Sequence, residues 1–146
     1  MGRAFHLDAV TPTVTYFLDH FTHDRILRAM TNLGMIQDLE ILDLARMALH
    51  RAFPGEQPPA AGPNATAAAI EALRAVGVAE PAGIPRHKLA TAEGWLITPA
   101  EITAALDAYQ RAPFDDCAAT GDRIDDWQPW IDFLHLAGDH NGLRCT

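Results

Sequence analysis

The segment that most constrains the fold is residues 94–102, Gly-Trp-Leu-Ile-Thr-Pro-Ala-Glu-Ile. Thr98 and Glu101 have the spacing of a capping box, in which each side chain accepts a hydrogen bond from the other residue's backbone amide. Pro99 fits the first position of a helix, because its missing N–H would have no partner there in any case. The sequence therefore predicts a helix that begins at Pro99 and ends before Pro113.

Two short apolar runs precede this helix, at residues 84–90 and 95–97. The break between them ends at Gly94, which can adopt the positive φ that a tight turn often needs. We therefore predict a small β-hairpin followed by the capped helix.

The N-terminal half favours helices. Thr11 and Pro12 resemble a helix start, and Thr22 resembles the cap of a second helix that ends at Gly34. The apolar residues of the first of these helices follow helical spacing: Val14, Phe17, Leu18 and Phe21. A third helix, predicted over residues 35–53, is apolar on nearly every side, which suggests a central position or a homo-oligomer interface.

The C-terminal half begins after a Pro/Gly-rich linker at residues 54–64, which can form neither a helix nor a central strand. A helix is predicted over residues 65–76. After the capped helix the sequence predicts an acidic loop at residues 114–125. An amphipathic helix then begins at Trp127, with Asp125 or Asp126 as its N-cap. Residues 143–146 follow an Asn-Gly turn and predict a short edge strand.

These elements predict a mostly α fold of about six helices in a compact bundle, with a small β-hairpin and a short C-terminal strand. We expect one compact domain built from a helical half at residues 1–53, the linker at 54–64, and a helix-hairpin-helix-helix half at 65–146. With 146 residues the chain is long enough to bury about 70% of the surface of its unfolded form.

Charge is distributed unevenly along the chain. The formal net charge is −8, and residues 65–146 hold twelve of the nineteen acidic residues. Such a field repels phosphate backbones, so direct binding of nucleic acid is disfavoured. An acidic surface instead favours a partner protein with a basic surface.

We therefore predict a small, acidic, non-enzymatic protein-binding module. Inhibitors, immunity proteins and accessory factors of bacteria or phages share this composition. Trp95, beside the predicted turn, is the tryptophan most suited to an exposed contact, since tryptophan is enriched at binding hot spots. The predicted contact residues are Asp115, Asp116, Asp122, Asp125, Asp126 and Trp95.

A metal-dependent enzyme or metal-binding protein is the alternative. If residues 19–24 are helical, His20, His23 and Asp24 lie on one face, where two imidazoles and a carboxylate suit a divalent transition metal. His140 follows Asp139 near the chain's end and could join them. The simpler interpretation is a solvated helix junction, with Asp24 favoured by the helix dipole.

Other motifs are absent or weak. The sequence has no phosphate-binding loop, no dinucleotide-binding glycine motif and no nucleophile elbow, so we predict no cofactor. Arg86, His87 and Lys88 form a basic cluster that could bind an anion or pair with the acidic loop. We expect a cytoplasmic protein, because no segment resembles a signal peptide or a membrane span.

Overall fold

The computed structural model describes residues 2–38, Gly77 and residues 80–146. Their strands are β1 Gly2–Leu7, β2 Thr15–Asp19, β3 Ile36–Gln37, β4 Ile84–Pro85, β5 Leu96–Ile97 and β6 Leu143–Cys145. Their helices are α1 His20–Asn32, α2 Arg86–Ala90, α3 Pro99–Arg111, α4 Phe114–Arg123 and α5 Trp127–Asp139.

The main sheet is antiparallel, with strand order β2-β1-β6-β5. The two ends of the described chain meet in it, since Phe5 of β1 lies opposite Cys145 of β6. The prediction of a six-helix bundle is therefore wrong: the described residues form five helices, 51% of them are helical, and a four-stranded sheet lies beside the helices.

The N-terminal segment explains part of this error. Residues 15–19 form a strand rather than the predicted helix, with Leu18 buried and Phe17 65% exposed on the opposite face. The β-branched and aromatic residues here pack well on a pleated surface. A helix would place Phe17 and Leu18 on one face, whereas a strand places consecutive residues on opposite faces, as the structure shows.

Helix α1 begins earlier than predicted. Asp19, not Thr22, is its N-cap, and Asp19 Oδ1 accepts a hydrogen bond from the Thr22 amide at 2.8 Å. The helix ends at Asn32, and Gly34 follows with a φ of +77°.

The predicted hairpin at residues 84–97 is also wrong. Ile84–Pro85 pairs in parallel with Ile36–Gln37, residues 86–90 form the short helix α2, and Leu96–Ile97 pairs with β6. Each short strand thus pairs with a segment distant in sequence. The pairing of Ile36–Gln37 also excludes the predicted helix start at residue 35.

The capping box is confirmed. Thr98 Oγ1 accepts from the Glu101 amide at 3.3 Å, and Glu101 Oε2 accepts from the Thr98 amide at 3.0 Å. Pro99 is the first helical residue, as predicted.

The C-terminal segment differs from its prediction in two places. The acidic loop is instead helix α4, and the predicted edge strand lies inside the sheet, between β1 and β5. The tryptophan helix is confirmed as α5 over Trp127–Asp139.

The core lies between the sheet and the helices. Helix α3 packs against α5, while α1 packs against β1 and β2. Phe5 of the sheet meets Trp130 of α5 edge to face, with ring centroids 4.8 Å apart. Such aromatic pairs add about 0.5–1.5 kcal/mol beyond the area that they bury.

Three predicted elements fall largely outside the described residues: most of the helix over residues 35–53, the linker at 54–64, and the helix over 65–76. Among the helices that the structure describes, none is long and apolar enough to cross a membrane.

Candidate protein-binding surface

Helix α4 is the least buried helix of the described fold. None of its ten residues is buried, and Phe114 at its start is 82% exposed. Asp115, Asp116 and Asp122 are exposed on the same helix. A helix that buries so little gives the core little stability, so its side chains are available for contact with another molecule.

Local electrostatics explain why this segment is helical. Asp115 and Asp116 lie in the first turn and Arg123 in the last, which places charge of the favourable sign at each end of the helix dipole. Thr120 Oγ1 donates to the Asp116 carbonyl at 2.9 Å. Acidic residues at the start of a helix therefore act here as helix formers, although they indicated a loop.

Contacts with α1, α3 and α5 hold α4 in place within the described fold. The Arg25 guanidinium of α1 donates to the Arg123 carbonyl, and Cys117 Sγ lies 3.6 Å from the Tyr109 carbonyl of α3. The helix also packs against α5. It is thus fixed on one side and leaves its acidic side accessible.

The remaining two aspartates follow α4. Asp125 is exposed, and Asp126 is half-buried at the start of α5, where its side chain makes no capping hydrogen bond. Burial, assisted by the negative charge of Asp126, raises the pKa of Tyr16 in β2. Asp126 therefore acts on its own fold, whereas the other four aspartates are exposed.

Trp95 lies elsewhere and is only 4% exposed. Its indole Nε1 donates to Glu93 Oε2 at 3.1 Å, and its ring meets His87 edge to face with centroids 4.8 Å apart. In this structure the indole is part of the core rather than of the acidic surface.

The predicted metal ligands are separated. His23 is buried and its Nε2–H donates to the Leu89 carbonyl at 2.9 Å, while burial lowers the pKa of the ring. His20 and Asp24 are exposed, and Asp24 pairs with Arg28 at 3.1 Å.

His140 is exposed at the end of α5. In the part of the chain that the structure describes, no three histidine, cysteine or acidic residues are grouped so as to hold a metal ion.

Sequence analysis missed a buried ion pair. Lys88 and Glu101 are both 0% exposed, and Lys88 Nζ lies 2.7 Å and 3.1 Å from the two Glu101 carboxylate oxygens. Lys88 Nζ also donates to the Leu96 carbonyl at 2.8 Å. Burial lowers the pKa of Lys88, and the Glu101 charge opposes that effect.

The basic cluster therefore does not pair with the acidic segment, since Arg86 binds Asp38 at 2.6 Å and Lys88 binds Glu101. The one available signal was that Lys88 is the sole lysine of the chain.

No protein-family model, curated protein or solved structure matches this chain. Its function is therefore inferred from the chemistry of its own side chains.

Proposed function

We propose that this protein is a non-enzymatic module that binds another protein through its acidic surface. This surface comprises Phe114, Asp115, Asp116, Asp122 and Asp125, all of which are exposed, and it leaves out Asp126, which is half-buried and acts on Tyr16. The observation that carries the proposal is Phe114, 82% exposed at the start of a helix without a buried residue and followed directly by two carboxylates.

Phe114 suits the role of an anchor. Full burial of a phenylalanine side chain contributes roughly 1.5–3 kcal/mol, and hot-spot residues are typically surrounded by contacts that exclude water. A partner with an apolar pocket would remove this ring from solvent. The proposal explains why an apolar side chain occupies an exposed position directly before two aspartates.

The aspartates would attract a basic partner and orient it as it approaches. Exposed charges mainly accelerate encounter and select against partners of like charge, and they add less to affinity. A basic surface beside an apolar pocket is thus the expected complement. Nucleic acid is disfavoured, because its phosphates carry the same sign of charge as this surface.

Small inhibitors and immunity proteins of bacteria or phages are the class that this proposal favours. We further propose that the protein acts in the cytoplasm, because Cys117 and Cys145 are both free thiols, which a reducing compartment maintains. Trp95 is left out of the proposed surface, because its indole is buried.

A matched pair of charge-reversal variants tests the proposal. The surface variant is D115K/D116K/D122K, and the control is D107K/D132K/D139K, which changes the net charge equally at three exposed aspartates outside the surface. Each is used as bait in a lysate of the native host, beside the wild type and F114S. Circular dichroism verifies that every bait is folded.

The proposal predicts a near-stoichiometric partner that the wild type and the control capture and that the surface variant and F114S lose. The partner's purified complex should weaken as salt is raised, because exposed charges are screened. A partner that the surface variant retains would contradict the proposal, and so would the absence of any partner in the wild-type capture.

A further inference from the structure

His87 of α2 is buried, and within the described part of the chain its ring has no hydrogen-bond partner. The residue is 8% exposed, and neither Nδ1 nor Nε2 is hydrogen-bonded within the described chain. A neutral imidazole has one donor and one acceptor, and burying both unpaired destabilises the folded state. A side chain in this position needs an explanation beyond packing.

The Trp95 ring contacts this imidazole. It lies 4.8 Å from the His87 ring, centroid to centroid, at an angle of 85°. The indole N–H is held by Glu93, two residues earlier in the same loop. Trp95, His87 and Glu93 therefore form one local unit, which we name the tryptophan latch.

The backbone beside the latch is fixed. The Gly94 amide donates to the Cys145 carbonyl at 2.9 Å, and the Gly94 carbonyl accepts from Arg144 Nη1 at 2.7 Å. Both bonds tie the loop to β6. Any opening of the latch would thus occur by rotation of the Trp95 side chain rather than by release of the loop.

Two charged groups act on the His87 ring. Lys88, on the same helix, disfavours the imidazolium, and Glu93, in the loop that carries Trp95, favours it. Burial is the largest effect and lowers the pKa of His87 below its ordinary value of 6.5. The closed latch therefore holds the neutral ring.

Protonation changes what this site requires. Both nitrogens of an imidazolium are donors, so the ring then needs two acceptors or water. The described residues around it place no acceptor within hydrogen-bond distance of either nitrogen. If the indole leaves, water can enter, and the Glu93 carboxylate, no longer bound to the indole, can accept from the imidazolium.

We propose that the tryptophan latch is an acid-operated switch, in which protonation of His87 displaces the Trp95 indole and exposes it at the surface. The switch is independent of the acidic surface. It would expose an aromatic contact only under acidic conditions.

Acrylamide quenching of tryptophan fluorescence tests the switch in the full-length chain, from about pH 7.5 to about pH 5. The three tryptophans are buried in this structure. One of them should become quenchable on acidification while far-UV circular dichroism stays unchanged. The change should be absent in W95F and H87F, and it should persist in H23F, which removes the other buried histidine.

Persistence of the change in H87F, or its absence in the wild type, would overturn the proposal. An NMR titration of the wild type is a test that does not depend on whether any variant folds. The Trp95 indole N–H resonance and the His87 ring should shift with one common midpoint, while the indoles of Trp127 and Trp130 stay unperturbed. Separate midpoints for His87 and Trp95 would equally contradict the switch.

Discussion

Lys88 Nζ and Glu101 Oε1 lie 2.7 Å apart, and both side chains are fully buried. The second Glu101 oxygen accepts from the Thr98 amide, so one carboxylate both completes the capping box of α3 and neutralises a lysine of α2. Lys88 in turn donates to the Leu96 carbonyl of β5. This pair therefore connects helices α2 and α3 with strand β5, and it links the capping box of α3 to the rest of the fold.

Replacing Glu101 with Gln should destabilise the fold strongly. Gln at this position can still accept the capping hydrogen bond. The Lys88 ammonium, however, loses the opposite charge that accompanies it in the core, and removing one partner of a buried pair costs about 3–5 kcal/mol. Urea unfolding measures the change.

The exposed Arg28–Asp24 pair supplies the control, since D24N at such a site should change the free energy of unfolding by less than about 1 kcal/mol. The double variant K88M/E101Q should regain part of the loss, because it buries no charge. Equal destabilisation by E101Q and D24N would show that the pair is not structurally important.

Local signals explain which elements could be predicted from sequence. The capping box and the α5 stripe depend on residues within a few positions of each other, and both are confirmed. The main sheet depends on pairings such as Phe5 with Cys145, and no local pattern specifies the partner of a strand. Short strands paired at such distances were therefore mistaken for helices or a hairpin.

The candidate site shows the same limit. Sequence indicated a cluster of aspartates but gave no sign that they lie on a helix, because acidic residues favour loops and helix starts alike. The burial of His23, His87 and Trp95 depends on tertiary packing. Spacing alone could not separate His23 from its exposed neighbour His20.

Two Phe→Ala variants should show that Phe114 has little structural role. F114A should change the free energy of unfolding by no more than about 0.5 kcal/mol, because the ring is 82% exposed. F5A removes the same side chain from a fully buried position and should cost about 3–5 kcal/mol. Comparable losses in urea unfolding would assign Phe114 to the core and weaken the proposed surface.

Stability should fall as pH decreases below about 6.5. Burial is the main cause that lowers the folded-state pKa of both His23 and His87, so the unfolded chain binds more protons than the folded chain in this range. The contribution of the neutral rings is fully present above the unfolded pKa and declines as pH falls toward the folded values.

Urea midpoints measured from about pH 8 to about pH 5 test this sign. The double variant H23F/H87F should show a smaller decline than the wild type over that interval. H135F, which replaces an exposed histidine, is the control for the substitution of histidine by phenylalanine. A decline of unchanged size in the double variant would place the titrating groups elsewhere.

Gly142 and Gly34 offer a matched test of how closely β6 approaches β5. Both have positive φ, +88° and +77°, so alanine at either position is strained by roughly 1–2 kcal/mol. A Cβ on Gly142 would also collide with the Ile97 carbonyl oxygen, whereas a Cβ on Gly34 would meet nothing within 4 Å. G142A should therefore lower the urea midpoint well beyond G34A, because only at Gly142 must the β5–β6 pairing shift. Equal midpoints for the two variants would mean that the sheet accommodates the methyl group and that the close approach is not required.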